Sequence, residues 1–376
     1  MSLWKQAIED AVHKTKANIA RFGDQFPHVS ENGKYLLNPN TDWTDGFWSG
    51  ILWLAYEYSG DDVFRTAARG TVDNFRNRLE TNMASLDHHD IGFLYSLSSK
   101  AQWMIEKEPA ARELTLQAAD VLVKRWRPKA GLIQAWGPEG HEDNGGRIII
   151  DCLLNLPLLY WAYEQTGNAL YRDVAIKHTE KSRRFLVRGD DSSYHTFWFD
   201  PQTGESVRGG THQGNSDGST WTRGQAWGIY GFALGYHYTK NPLYLETSKR
   251  MARYFLEHLP EDNVVYWDFD VEITPDTKRD SSASAIAACG ILELLKHLPE
   301  NAPDRAFLTD GVQKTMEGLV RHYSTMRQPE AEGFIEHGSY AVRLGHNPDD
   351  FMIWGDYYYL EALMRLERGH KGYWYE

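Results

Sequence analysis

Three short stretches spaced through the chain share one pattern: EYSGDDVFRTAA from Glu57, EQTGNALYRDVA from Glu164 and HYTKNPLYLETS from His237. In each, one apolar helical pattern ends at a polar or glycine turn. A residue able to cap a helix follows (Asp61, Asn168, Asn241), and an aromatic falls three residues later (Phe64, Tyr171, Tyr244). EKEPAARELTLQAA, from Glu106, does the same with Pro109 near the new helix start. A turn this short sends the second helix back antiparallel to the first. The repeating unit is therefore a helical hairpin, and a chain built on it is a helical array or ring.

Apolar residues recur at three and four positions in about twelve segments, which predicts helices near 3–21, 45–58, 61–80, 90–107, 109–126, 146–166, 168–187, 222–239, 241–259, 280–297, 303–323 and 353–368. Twelve helices make six hairpins if the last pairs with the first. An open solenoid would need polar capping repeats at both ends. Here both terminal helices carry broad apolar faces and the tail HKGYWYE is aromatic. The expected fold is thus all-α, a closed (α/α)6 barrel of six helical hairpins, with residues 1–376 forming a single domain. Second helices such as ETSKRMARYFLEHL are charged and amphipathic and suit an outer layer. First helices such as GQAWGIYGFALG are apolar on more sides and suit an inner one. The long segments 22–44, 127–146, 188–221, 260–279 and 324–352 would gather at one end, where long loops are often functional.

Hydrophobic residues make up 41% and charged residues 24% of the chain, enough for a sizeable core and too little polarity for disorder. A net charge of −12, from 40 basic and 52 acidic residues, argues against nucleic acid or an anionic membrane surface as partner. No apolar run is long enough to span a membrane, and the amphipathic N-terminus lacks the apolar core of a secretory signal. Cys152 and Cys289 each sit in an apolar helical pattern, as buried free thiols would, and the expected location is cytoplasmic. Aromatics are abundant, with 14 Trp, 21 Tyr and 15 Phe, and their flat amphipathic faces suit sugar rings as well as a core.

The starts of the inner helices carry NTDWTDGFW, LDHHDIGF, GGRIIID, STWTRGQAWG, RDSSASA and IWGDYYY. Any of Asp42, Asp45, Asp87 or Asp280 alone reads first as a helix cap. Asp90, after two histidines, and Asp151, after three isoleucines, do not. An ionised carboxylate on an apolar face needs a partner or a raised pKa, and a tuned carboxylate is what acid–base catalysis uses. Arg223 and Trp227 stand one helical turn apart beside Trp221, and an Arg between indole planes can grip a sugar carboxylate or be a stacked strut. No zinc spacing, EF-hand loop, nucleophile elbow, dinucleotide fingerprint or phosphate loop is present, so neither a metal nor a cofactor is expected.

NTDWTDGFWSGILW, LDHHDIGFLYSLS, NGGRIIIDCLLNLPLL, RGDDSSYHTF, RGGTHQGNSDGSTWTRGQAWGIYGFAL and IWGDYYYLEAL resemble the unsaturated glucuronyl hydrolases of glycoside hydrolase family 88 along essentially the whole chain. The family fold is the (α/α)6 barrel. Its members release a 4,5-unsaturated glucuronic acid from the non-reducing end of lyase-generated oligosaccharides by hydrating the C4=C5 enol ether. The resemblance implies Asp151 as general acid/base and Asp90 as the second carboxylate. It implies Trp43, Trp136, His195, His212, Gln213, Trp221, Arg223, Trp227 and Tyr340 around the sugar, with Arg223 as the carboxylate partner. It implies an unsaturated uronyl oligosaccharide as substrate and a monomer or weak homodimer as the working unit.

Members acting on sulfated fragments carry a Ser/Lys-rich motif near the C-terminus, whereas LERGHKGYWYE has Lys371 and no serine beside it. That departure predicts a preference for unsulfated disaccharides. The alternatives are an unsaturated rhamnogalacturonyl hydrolase acting on pectin fragments, a non-catalytic carbohydrate-binding barrel, and a glycosidase acting on saturated sugars through Asp90 and Asp151.

Overall fold

The computed structural model describes residues 1–376. Its helices are α1 (Leu3–Phe22), α2 (Asp45–Ser59), α3 (Asp62–Thr81), α4 (Ile91–Tyr95, continued through a π turn into Ala101–Glu106), α5 (Pro109–Val123), α6 (Pro157–Thr166), α7 (Ala169–Phe185), α8 (Thr222–Thr239), α9 (Pro242–Glu257), α10 (Ser281–His297), α11 (Arg305–Gly318, ending in a π turn) and α12 (Ile353–Arg368).

The repeated turns obey one piece of chemistry. Gly60, Gly167 and Lys240 close the helices before them in the left-handed conformation. Asp61, Asn168 and Asn241 then accept from the backbone N–H of the second residue of the next helix, at 3.0, 3.1 and 3.1 Å. Lys107 and Glu108 repeat this ahead of Pro109. The predicted aromatics Phe64, Tyr171 and Tyr244 are all buried just beyond the caps.

The ring closes. Even-numbered helices form the inner layer, with α12 packed against α2, and α1 covers the seam from outside. Inner α8 is buried along nearly its whole length. Outer α9 buries only Tyr244, Thr247, Ser248, Met251, Ala252, Phe255 and Leu256, a stripe at helical spacing. One continuous apolar cluster runs from Ala7 to Tyr375. No helix is long and apolar enough to cross a membrane.

Two departures from the predicted helices matter. The segment 146–166 is not one helix. Arg147–Ile149 is a strand and Ile150–Leu154 a 3-10 turn, and the α-helix starts only at Pro157. Three β-branched isoleucines favour the strand, and a proline cannot continue a helix from within. The loops also hold small antiparallel sheets. Phe26–Glu31 pairs with Lys34–Asn38 across Asn32-Gly33, a turn with positive φ at both residues. Arg147–Ile149, Thr196–Phe199 and Ser206–Gly210 form a three-stranded sheet at the mouth of the barrel. Isolated bridges, among them His88 with Trp136, Trp221 with Asp268 and Gly338 with Asp350, join the long loops at that end.

Candidate active site

Asp90 stands immediately before α4, at a position where an aspartate would normally cap, yet its side chain caps nothing. It faces His88 Nδ1 and His89 Nε2, each 3.4 Å away, and Asn155 Nδ2. Burial works against its charge, but His89, His88 and Arg125 outweigh burial and hold its carboxyl below the usual range.

Asp151 follows the strand Arg147–Ile149 on the 3-10 turn, and the backbone N–H of Ile150 donates to the His195 carbonyl at 3.0 Å. The sheet therefore fixes where this carboxyl enters the barrel. Its Oδ1 is enclosed and meets no hydrogen-bond partner in the protein. Burial first, and the charge of Asp90 second, push its pKa up to about 8, against the pull of Arg223. At neutral pH the two carboxyl groups thus hold opposite protonation states, the separation of roles that acid–base catalysis needs.

Both line a cavity of about 210 Å³ with Trp43, His89, Trp136, His212, Gln213, Tyr340, Ala341, Leu344 and His346. This is below the size of pockets that enclose drug-sized molecules and suits one terminal sugar. Larger hollows of about 470 and 490 Å³ lie beside Trp48 and beside Lys278, but neither brings a buried carboxylate to its wall.

Six of the predicted sugar-binding side chains are at or beside this cavity. Trp43 Nε1 donates to Tyr340 Oη at 3.4 Å, and Gln213 Nε2 donates to the Tyr340 carbonyl at 3.0 Å. Trp136 is braced by the Arg147 guanidinium, 4.4 Å from its ring centroid, and meets His212 edge-on. His195 sits behind His212: its Nδ1 accepts from the His212 backbone N–H at 3.0 Å, and burial holds the ring well below its usual pKa, hence neutral.

Three predicted residues lie deeper. Trp221 packs edge-on to His195 at 4.9 Å. Trp227 is fully buried against Phe93 and Tyr358, beneath the cavity floor. Arg223 is also buried. Its Nη1 donates to Asp280 and to the Ser339 carbonyl, and its Nη2 to the Tyr340 carbonyl. Its guanidinium lies between Trp221 and Trp354, not Trp221 and Trp227. Three of its five N–H groups are engaged, so it braces the Ser339–Tyr340 loop and also brings its charge to bear on Asp151.

His89, Asn155, Ala341, Leu344 and His346 were not anticipated at the site. His89 had a signal, its place between His88 and Asp90. The loop residues had none, since HGSYAVRLGHN carries no periodicity and is positioned by bridges to Asp350 and within itself. Lys371 is at the other end of the barrel, where it lines a separate hollow with Glu57, Lys107 and Tyr373. It cannot touch a substituent on a sugar in the cavity, so the composition of the tail carries no information about sulfate.

The glycosyl hydrolase family 88 model matches residues 18–372. An unsaturated glucuronyl hydrolase of Bacillus sp. (strain GL1) is 64% identical over 375 residues, covering 100% of this chain and 99% of that protein. A UGL variant solved with dGlcA-Glc-Rha-Glc is 64% identical, with a TM-score of 0.98 over 99% of both chains. A mutant unsaturated glucuronyl hydrolase of Streptococcus agalactiae complexed with dGlcA-GalNAc6S is 43% identical, with a TM-score of 0.87 over 99% of this chain and 93% of that one.

Proposed function

Because the chain belongs to glycosyl hydrolase family 88, we propose that it removes 4,5-unsaturated glucuronic acid from the non-reducing end of short oligosaccharides by hydrating the C4=C5 double bond. The observation that carries this is the pair of unlike carboxyl groups, a protonated Asp151 and an ionised Asp90, on the wall of a cavity sized for one sugar.

The double bond is part of an enol ether with the ring oxygen. Asp151 gives its proton to C4, and C5 and the ring oxygen share the resulting positive charge. Asp90, held anionic, steadies that charge and orients the ring hydroxyls. Asp151, now a carboxylate, takes a proton from a water that bonds to C5. The product is a hemiketal at C5. Its ring opens to a 5-keto group, and the hemiacetal left at C1 releases the remaining saccharide. The bond to the leaving sugar breaks without attack at the anomeric carbon, so the carboxylate-separation rule for ordinary glycosidases does not apply.

Trp43 and Trp136 offer faces to the sugar; His212, Gln213 and Tyr340 offer polar contacts at its edge. His195, Trp221, Trp227 and Arg223 support these groups from behind, and Arg223 draws the uronate by charge. The relative solved with dGlcA-Glc-Rha-Glc resembles this chain more than the one solved with dGlcA-GalNAc6S, which favours unsulfated substrates. The cavity residues Asp90 and Asp151 come from one chain, which supports a monomer or weak homodimer as the working unit, with the whole barrel, residues 1–376, as the catalytic domain. Two buried free cysteines accord with a reducing cytoplasm.

The test is turnover of an unsaturated chondroitin disaccharide in deuterated water, followed by NMR. Deuterium is expected at C4 of the uronate as it is released; first appearance of a ring-closed uronate that still carries the C4=C5 double bond would mean anomeric attack and overturn the mechanism. Run beside its sulfated counterpart, the unsulfated disaccharide is expected to show the higher kcat/KM, and the reverse order would refute the preference.

A further inference from the structure

Asp90 and Asp151 come from different hairpins, and one side chain joins the segments that carry them. Asn155 is completely buried, one residue beyond the 3-10 turn. Its Oδ1 accepts from the Phe93 backbone N–H at 2.8 Å, in the first turn of α4. Its Nδ2 donates to the Asp151 carbonyl at 3.2 Å and reaches Asp90 Oδ1 at 3.4 Å. Gly92 lets the two segments come this close: a Cβ there would stand 2.4 Å from Asn155 Cα and 2.6 Å from its carbonyl oxygen. Only an amide supplies both the acceptor for Phe93 and the donor for the two aspartates. An ionised aspartate has no donor and a leucine has neither.

We propose that Asn155 is a positioning residue that locks Asp90 and Asp151 into one fixed relation, an inference resting on the reading of these two carboxylates as the reacting pair. Asn155 does not line the cavity, so it acts through its neighbours. Its N–H favours the charged form of Asp90, and the charge of Asp90 helps keep the proton on Asp151. Loosening the lock changes both the distance between the groups and the pH range over which their states differ.

The experiment compares Asn155→Ala and Asn155→Asp with the wild-type enzyme on an unsaturated disaccharide, measuring kcat and KM from the lowest pH at which the fold survives up to about pH 10. Misplacing a reacting group by about 1 Å costs on the order of 100-fold. For both variants kcat is therefore expected to fall by about 10-fold or more, with KM changed by less than about 3-fold. In Asn155→Ala the acid limb moves up, because Asp90 loses a hydrogen bond that favours its charge, while the alkaline limb stays, because Asp90 is still ionised near pH 8. Asn155→Asp keeps the size and the acceptor for Phe93 and, once ionised, replaces the donor by a like charge beside Asp90, so it decides the matter should the alanine variant fail to fold. Near-wild-type kcat in Asn155→Asp, or an unchanged acid limb in folded Asn155→Ala, would overturn the proposal. Asp151→Asn is run alongside. Retained activity there would remove the carboxylate pair itself, whereas an inactive Asp151→Asn beside unaffected Asn155 variants would remove only the lock.

Discussion

Asp151 is destabilising where it is most useful. Its folded pKa of about 8 lies far above the roughly 3.9 of a free aspartate. Between those values the unfolded chain has lost the proton and the folded chain keeps it, so stability falls as pH rises through that window. Asp151→Asn removes the penalty. Its Tm is expected to exceed that of the wild type by a margin that widens from pH 4 to pH 8, while activity falls by at least about 100-fold; a thermal melt and an assay at each pH check both. In the wild-type enzyme kcat/KM is expected to fall above about pH 8, as Asp151 loses its proton, and to hold on the acid side down to below the ordinary carboxylate range, where Asp90 gains one. An alkaline limit more than about two units away would separate the free-enzyme pKa from Asp151.

At the level of elements, the hairpin turns were legible because their chemistry is local. A left-handed closing residue and a capping side chain are read from four adjacent positions; three repeats cap with Asp or Asn and the fourth with Glu108. Asp61→Ala leaves the Val63 N–H without its acceptor. It is expected to cost about 1 kcal/mol in chemical denaturation, with little effect on kcat, because the turn faces away from the cavity. The 146–166 segment was not legible in the same way. Its apolar run fits a buried helix or a buried strand equally well. The choice was made by pairing with Thr196–Phe199, some fifty residues on, which no local pattern announces. The Asn32-Gly33 hairpin, by contrast, did carry a signal, the dipeptide itself.

For the whole molecule, the tail is what seals the ring. Trp374 is fully buried in the end opposite the cavity, its Nε1 donating to Glu361 of α12 at 3.0 Å. Its carbonyl accepts from Lys100 of α4 and Tyr238 of α8, both at 2.7 Å. Beside it Glu293 takes Arg365, Tyr375 and His297, so this cluster of charge and imidazole is spent on holding the tail. Trp374→Ala is expected to cost about 3–5 kcal/mol in chemical denaturation, since its ring packs on Phe93, Tyr230 and Tyr358 of three inner helices; a loss under about 1 kcal/mol would mean the ring closes without it. The net charge of −12 also resolves at this scale. It is spread over the exterior, while Arg147, Arg343 and His346 stand around His212 at the mouth, so attraction for an anionic sugar is local.

By itself the sequence determined the helix count, the hairpin repeat and the two layers, and it singled out Asp90 and Asp151 as carboxylates in apolar surroundings, because each of these follows from periodicity, capping or motif within a few residues. Only the tertiary structure decided that Asp151 sits on a turn rather than a helix, that Arg223 is tied to Asp280 and two carbonyls, that Lys371 is at the other end of the barrel from the cavity, and that Asn155 links Asp90 to Asp151. Each of those depends on which distant segment stands opposite. A buried side chain's hydrogen bonds and pKa are set by its neighbours in space, and the order of residues along the chain names those neighbours only after it has folded.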